Sequence, residues 1–277
     1  KTLSYLKTHD LTAFVKPATG KTNHTPIWSG TRLPISESLG EAVRDTLEIA
    51  RDAHERGDAD TLEPELRAAA RLVEVQAKLS IVPGAHETLC EVCDTREGRH
   101  FFLFPFDGRL VHGGLGALLA LRLSRLESAT FSIAANDYGF ELLTHKGYPF
   151  EELLSADLFS QERLLEDSVE SVNLSALARS QFREVARVAG LIFQSIPGAK
   201  RGTKSLQARA GLIYDVFEQF DPENLLLEQA RREVLEKRFE TSRMGRTLSR
   251  LERGPIVVRT TARPTPLSLP LVIERVG

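Results

Sequence analysis

The sequence predicts an α+β fold, a largely antiparallel sheet of about six strands packed by several α-helices. Three observations carry that expectation. Residues 88–106 and 129–143 each read as apolar strands joined by a glycine-bearing turn, the pattern of a β-hairpin. Apolar residues at helical spacing run through most of residues 160–253. Two segments separated by the proline-rich Arg263 to Pro266, Ile256 to Thr261 and Leu269 to Arg275, read as strands that close the chain, since the terminal residues of a domain usually need such a sheet to tie them down.

Leu11 to Lys16 reads as a short strand, and the Pro/Thr/Gly-rich stretch Pro17 to Pro34 as an extended connector carrying the only tryptophan, Trp28. Residues 1–34 therefore form one part and residues 35–277 an α+β domain: a helical pair (36–80), a sheet-rich part (86–144), a helical part (160–253) and closing strands (256–275). Ser36 is placed to cap a first helix, along which Leu39, Val43, Leu47, Ala50 and His54 repeat until Gly57 stops it. A second helix starts near Asp60 or Thr61 and runs to Leu79, where Val82-Pro83-Gly84 follows. Strands Thr88 to Cys93 and His100 to Phe106 flank Arg96-Glu97-Gly98, and Asn136-Asp137-Tyr138-Gly139 turns the second hairpin with residues that accept left-handed backbone cheaply. Helices are then expected at Gln161 to Val172, Leu174 to Gln194, Lys204 to Phe220, Pro222 to Glu240 and Thr241 to Arg253.

With 277 residues and 42% hydrophobic content the chain can bury a real core. It contains no apolar run of membrane-spanning length and opens on no charged-then-apolar leader, so neither a membrane span nor a secretion signal is expected, and a bacterial cytoplasmic, nucleoid-associated setting is. The net charge of −2 conceals a division. Residues 151–170 hold seven acids (Glu151, Glu152, Asp157, Glu162, Glu166, Asp167, Glu170) against Arg163 alone. From residue 178 onward there are eighteen Lys and Arg against eleven Asp and Glu. Most are arginine, whose planar fork suits phosphate oxygens, which makes nucleic acid the leading partner.

The run Phe101 to Leu142 (FFLFPFDGRLVHGGLGALLALRLSRLESATFSIAANDYGFEL) sets a strand, a glycine-rich corner, a leucine helix and a hairpin in unbroken succession. Together with VPGAHETL before it and REVARVAGLIFQSIPG, LQARAGLIYDVFEQFDPENLLLEQA and RPTPLSLPLVIERV after it, this run resembles the part that follows the winged helix in large helicase-related (Lhr-type) DNA helicases, above all the ligase-associated DEXH-box subgroup of bacteria. The resemblance covers most of the chain from about Trp28 onward. It implies an accessory domain of an ATP-dependent 3′-to-5′ DNA helicase acting in DNA repair, with single-stranded DNA or an RNA:DNA hybrid as partner. The RecA-like and winged-helix domains of the parent would be its other partners. ATP and Mg2+ would belong to those motor domains, because this chain has no DExH box or other ATPase motif. The chain starts at Lys1 with Met244 as its only methionine, and reads as a piece of a longer protein. Gly20-Lys21-Thr22 looks like the end of a phosphate loop, but His24-Thr25-Pro26 prevents the helix whose N-terminus would grip a triphosphate, so a turn is the better reading.

No constellation for catalysis or metal emerges. Cys90 and Cys93 with His86 and His100 mimic zinc spacing, yet residues three apart on a strand point to opposite faces. Two ordinary half-buried cysteines are expected instead.

Binding features are better supported. Arg179, Arg183 and Arg187 fall along one side of a helix, and the following loop adds Lys200, Arg201 and Lys204 among small residues, a set suited to phosphates; the bland reading pairs these arginines with Glu184, Glu218 or the acidic segment. Trp28 either stacks on an unpaired base, with Arg32 beside it for a phosphate, or plugs the core. At the corner Asp107 to Gly114, the glycines and helix N-terminus would admit an anion, with Arg109 and His112 in reach. Arg122 is expected to serve structure, paired with Asp137 or Glu141. Arg243, Arg246, Arg250 and Arg253 form a second ridge that reads as the solvated side of an amphipathic helix. The rival to strand holding is a docking module that packs on the motor and winged-helix domains or oligomerises, without touching DNA.

Overall fold

A computed structural model describes residues 3–9, 12–17, 33–171, 174–192, 195–196, 199–200 and 203–276. The chain divides into two compact units, Lys1–Leu33 and Pro34–Gly277. In the first, β1 (Leu3–His9) pairs antiparallel with β2 (Thr12–Pro17). Trp28, Arg32 and the Gly20-Lys21-Thr22 run lie outside the described residues.

The second unit opens with α1 (Glu37–Arg56), capped by the Ser36 hydroxyl, which accepts from the Leu39 amide at 3.2 Å, and ended by Gly57 in the left-handed conformation at φ 75°. A short 3-10 turn leads to α2 (Pro64–Leu79), whose Pro64 sits in the first turn, where a missing N–H costs nothing. Next come β3 (Thr88–Asp94), β4 (Arg99–Phe104), α3 (Arg109–Leu126), β5 (Ser132–Ala135) and β6 (Phe140–Thr144). Then follow α4 (Phe150–Leu153), α5 (Leu164–Ser171), α6 (Leu174–Val188), the two-residue strands β7 (Ser195–Ile196) and β8 (Ala199–Lys200), α7 (Thr203–Phe220), α8 (Leu225–Phe239), α9 (Thr241–Arg253), β9 (Ile256–Thr261) and α10 (Leu269–Val276).

The main sheet has five strands in the order β5-β6-β4-β3-β9, antiparallel throughout except for the β3–β9 pair. The α+β class and the largely antiparallel sheet agree with the sequence reading. Its two faces bury different cores, because alternate side chains of each strand point to opposite sides. Cys90, Val92, Phe101, Leu103, Phe140 and Leu142 meet α3 and the Met244, Leu248 and Leu251 side of α9. Leu89, Cys93, Phe102 and Phe104 meet Val43 and Leu47 of α1 and Leu271 of α10. A separate cluster built on Phe182, Tyr214 and Leu227 holds α6, α7 and α8 together.

One sequence expectation fails. Leu269 to Arg275 is a helix, not a closing strand, so the sheet ends at five strands. The β-branched Val272 and Ile273 suggest a strand, but helix-start geometry wins: the Thr265 carbonyl accepts from Leu269 N, the Ser268 hydroxyl accepts from Thr265 N, and Pro270 falls in the first turn. Leu271 and Arg275, four residues apart, then share the buried side, while Ile273 is exposed. α6 also stops at Val188 rather than reaching Gln194, with Gly190 at φ 74° beyond it.

Candidate nucleic-acid interface

The corner that joins β4 to α3 is tied to the β5–β6 turn, α1 and α9. Phe106 adopts φ 59°, rare for a bulky residue, and Gly108 adopts φ 87° at the start of α3. The turn is seated on the β5–β6 turn: Phe106 N donates to the Tyr138 carbonyl and Gly108 N to the Asp137 carbonyl. Helix α1 comes close because Gly40 faces it, where a Cβ would stand 2.2 Å from the Phe106 carbonyl oxygen.

Asp107, 4% exposed, is the hub. It accepts from Arg44 of α1 at 3.2 Å, from the Thr247 hydroxyl at 2.8 Å and from Arg250 of α9 at 2.5 Å. Burial pushes its carboxyl up, but the Arg250 charge, the Thr247 hydroxyl and the Arg44 charge outweigh this and hold it below the ordinary aspartate range. Arg44 and Arg250 also donate to the Pro105 carbonyl, so one loop locks α1 and α9 onto the sheet.

The sequence candidates at this corner turn inward. His112 is fully buried; its Nε2 accepts from the Asp107 amide at 3.0 Å and its Nδ1 donates to the Asn136 carbonyl at 2.6 Å. Burial lowers its pKa to about 4, so the ring is a neutral pin between two turns. Arg109 pairs with Asp137, whose carboxylate also accepts from the Arg109 and Ile35 amides. The anion expected at the α3 N-terminus is thus the protein's own Asp137.

Arg122 does serve structure, but with other partners than expected. Its Nε donates to Asp167 at 3.0 Å, and its remaining nitrogens donate to the carbonyls of Leu158, Ser160 and Glu162. Other acids of this stretch are also paired: Asp167 with Arg125, Glu170 with Arg125, Glu151 with Arg99 and Glu166 with Arg163. Cys90 and Cys93 are both buried and face the two different cores, and burial raises both thiols. Among the described residues no group of three or more His, Cys, Asp or Glu is placed to hold a metal ion.

The α6 arginines lie at the surface with local partners. Arg179 pairs bidentately with Asp215 of α7, both bonds at 2.8 Å. Arg183 and Arg187 both reach Glu184, at 3.0 and 2.8 Å, so two guanidiniums share one carboxylate. Lys200 ends β8 and Lys204 lies in the first turn of α7; their side chains, and all of Arg201, lie outside the described residues.

The second arginine ridge is not the uniformly solvated face its spacing suggests. Arg243 is buried, donating to Glu240 and to the Ile35 carbonyl, and Arg250 is held by Asp107, whereas Arg246 pairs with Glu37 and Arg253 is exposed. Beside these side chains runs a cleft of 570 Å³ lined by His86, Gln161, Ser242, Ser249, Arg246, Arg250 and Arg253. Sequence reasoning missed it, although Ser242, Gly245 and Ser249 between the arginines are the small residues that leave such a floor open.

A family model described as DEAD/H associated matches residues 82–268. The chain is 28% identical over 277 residues to the Lhr helicase/uracil glycosylase of Escherichia coli strain K12, covering 95% of this chain and 18% of that protein. It is 24% identical to the ATP-dependent helicase Lhr-Core of Methanocaldococcus jannaschii, covering 99% of this chain and 33% of that one. The chain thus spans a third or less of these curated relatives. The solved structure of Mycobacterium smegmatis helicase Lhr bound to ssDNA and AMP-PNP superposes with a TM-score of 0.60 at 23% identity, over 91% of this chain and 33% of that one, which is a likeness of fold.

Proposed function

The chain belongs to the DEAD/H associated family, and on that premise we propose that it is an accessory domain of an ATP-dependent 3′-to-5′ DNA helicase that holds the tracked single strand. The observation that carries this reading is the α6 surface, where Arg183 and Arg187 face solvent with a single carboxylate, Glu184, between them. Exposed pairs of this kind are weak and exchangeable, so strand phosphates can replace the shared carboxylate and release counterions. Lys200, Arg201 and Lys204 extend the same basic run, and Trp28 with Arg32 adds a base-stacking contact. Binding of this sort grips backbone and base faces without reading sequence. That relatives over the whole chain are helicases, and that a solved helicase of this fold is described as bound to ssDNA, supports the assignment.

In this reading ATP and Mg2+ act in RecA-like domains, which together with a winged helix are the protein partners, and the work is DNA repair in the bacterial cytoplasm at the nucleoid. No helix among the described residues is long and apolar enough to cross a membrane. The second reading, a docking module without DNA contact, is favoured by Leu212, Val216 and Phe220, exposed at four-residue steps along α7.

Titration of the chain into fluorescent single-stranded DNA at two salt concentrations tests the choice. Strand holding requires salt-weakened binding that is reduced in Arg183→Gln/Arg187→Gln, in Lys200→Ala/Arg201→Ala/Lys204→Ala and in Trp28→Ala. Absence of binding at low salt leaves the docking reading.

A further inference from the structure

We propose that the α9 cleft is a second strand site, in which Arg246, Arg250 and Arg253 receive consecutive phosphates of a single-stranded nucleic acid. The inference rests on the strand-holding reading but on different residues. Among the described residues no carboxylate side chain lines the cleft, Glu37 reaching only Arg246, and the cleft presents three arginines and His86 above a floor of Ser242, Gly245 and Ser249. A guanidinium fork in such a setting has phosphate as its natural partner.

Each arginine is differently prepared. Arg250 is anchored through Nη2 to the buried Asp107 and the Pro105 carbonyl, and its side chain stays 27% exposed where it lines the cleft. A guanidinium already held in place loses little rotamer freedom on binding an anion. Arg253 is exposed and has no ion-pair or hydrogen-bond partner among the described residues. Arg246 holds Glu37 through two bonds of 3.0 and 2.7 Å, but both side chains are about half exposed, a pair that a strand phosphate can displace.

The three stand four and three residues apart, so they spread over roughly 10 Å of helix axis, more than the ~7 Å that three phosphates of a fully stacked strand span along its axis and suited to a strand that is partly extended. The path has a natural end. Past Ser242 the surface continues into a second cleft lined by Gln229, Arg232, Glu233, Glu236 and Thr241, where two acids turn phosphates away.

The test compares wild type, Arg246→Gln/Arg253→Gln and Arg183→Gln/Arg187→Gln for binding to a fluorescent oligo(dT), with salt varied. Arg250 is left alone because it holds the fold, and Arg253→Gln alone serves as a second variant that breaks no pair. An unchanged melting temperature checks folding. The expected result is at least a tenfold loss of affinity at low salt in the Arg246/Arg253 variant, with the slope of log K against log salt shallower by about 1.4, since each lost phosphate contact removes about 0.7 for a single strand. If the α6 variant weakens binding but the α9 variant keeps wild-type affinity and slope, the cleft lies off the strand and this inference falls while strand holding stands. If wild type binds no oligo(dT), both fall. Two competition arms separate other anions. Inorganic phosphate that displaces the strand better than chloride of equal ionic strength would make this a free-phosphate site. Binding of a polyglutamate peptide that the α9 changes abolish, with oligo(dT) binding retained, would make it a protein-docking site.

Discussion

Arg250 donates to Asp107 at 2.5 Å, joining the last long helix to a turn 143 residues earlier in the chain. Because Arg44 reaches the same carboxylate from α1, one buried negative charge balances two guanidiniums. Asp107→Asn keeps the shape and removes the charge, leaving Arg44 and Arg250 uncompensated. Removing one member of a buried pair typically costs about 3–5 kcal/mol. Urea denaturation should show a loss of this size, against about 1.5–3 kcal/mol for Thr247→Val, which deletes one hydrogen bond to the carboxylate and leaves its charge paired. Equal midpoints for wild type and Asp107→Asn would refute the hub.

His112 makes stability depend on pH in a defined window. Its folded pKa, about 4, lies below the ordinary 6.5, so the unfolded chain takes up the proton first as pH falls. The stabilisation is complete above pH 6.5 and is lost progressively toward pH 4, by roughly 3 kcal/mol in all at 1.36 kcal/mol per unit. Carboxylates titrate in the lower part of the same range, so the informative quantity is the difference between wild type and His112→Gln. That difference should shrink as pH falls, and a constant gap would show that the ring is not held neutral.

The elements set by local rules were legible from sequence. Ser36 and Gly57 bracket α1 as their residue types demand, and Asn136 seats its turn by accepting from the Tyr138 and Gly139 amides. The separation of Cys90 from Cys93 followed from strand geometry alone. Long-range pairing was not legible. Arg122 could be recognised as a buried cation by its place among leucines, but Asp167, which answers it, is 45 residues away on an element whose position only the fold decides. For the same reason the second ridge looked like a plain solvated face: nothing local tells that Arg250 meets Asp107 while Arg253 stays free. The helix α10 was not legible because a chain end tied down by a closing strand is the ordinary expectation, while the Thr-Pro-Leu-Ser start forms its hydrogen bonds only in the folded chain.

Arg122 and Arg125 offer an internal comparison of buried and surface charge. Both donate to Asp167, but Arg122 also satisfies three backbone carbonyls and is 8% exposed, while Arg125 is more open. Arg122→Met should cost about 3–5 kcal/mol, since it leaves Asp167 with Arg125 alone and strands the carbonyls that tie residues 158–162 to α3. Arg125→Gln should cost about 1 kcal/mol or less. Comparable losses in the two variants would show that the backbone carbonyls contribute nothing beyond the shared carboxylate.

The C-terminal helix gives the last prediction. Glu141 is fully buried on β6, accepting from His100 Nδ1 at 2.5 Å and from Arg275 Nε at 3.1 Å, and Arg275 also pairs with Glu97 of the β3–β4 turn. One helical turn earlier, Leu271 inserts beside Phe102 and Phe104. These two contacts attach α10 by different means, so they should fail differently. Leu271→Ala removes apolar contacts and leaves a cavity between α10 and the sheet, costing about 2–5 kcal/mol of global stability. Arg275→Met leaves Glu141 its His100 partner, so the global loss should be smaller, while the last turn of α10 frays locally. Hydrogen exchange read by peptide should therefore show faster exchange confined to residues 269–276 in Arg275→Met, and faster exchange across β3 and β4 as well in Leu271→Ala. If Arg275→Met loosens the sheet as much as Leu271→Ala does, the ion pair rather than the leucine is what fastens the helix.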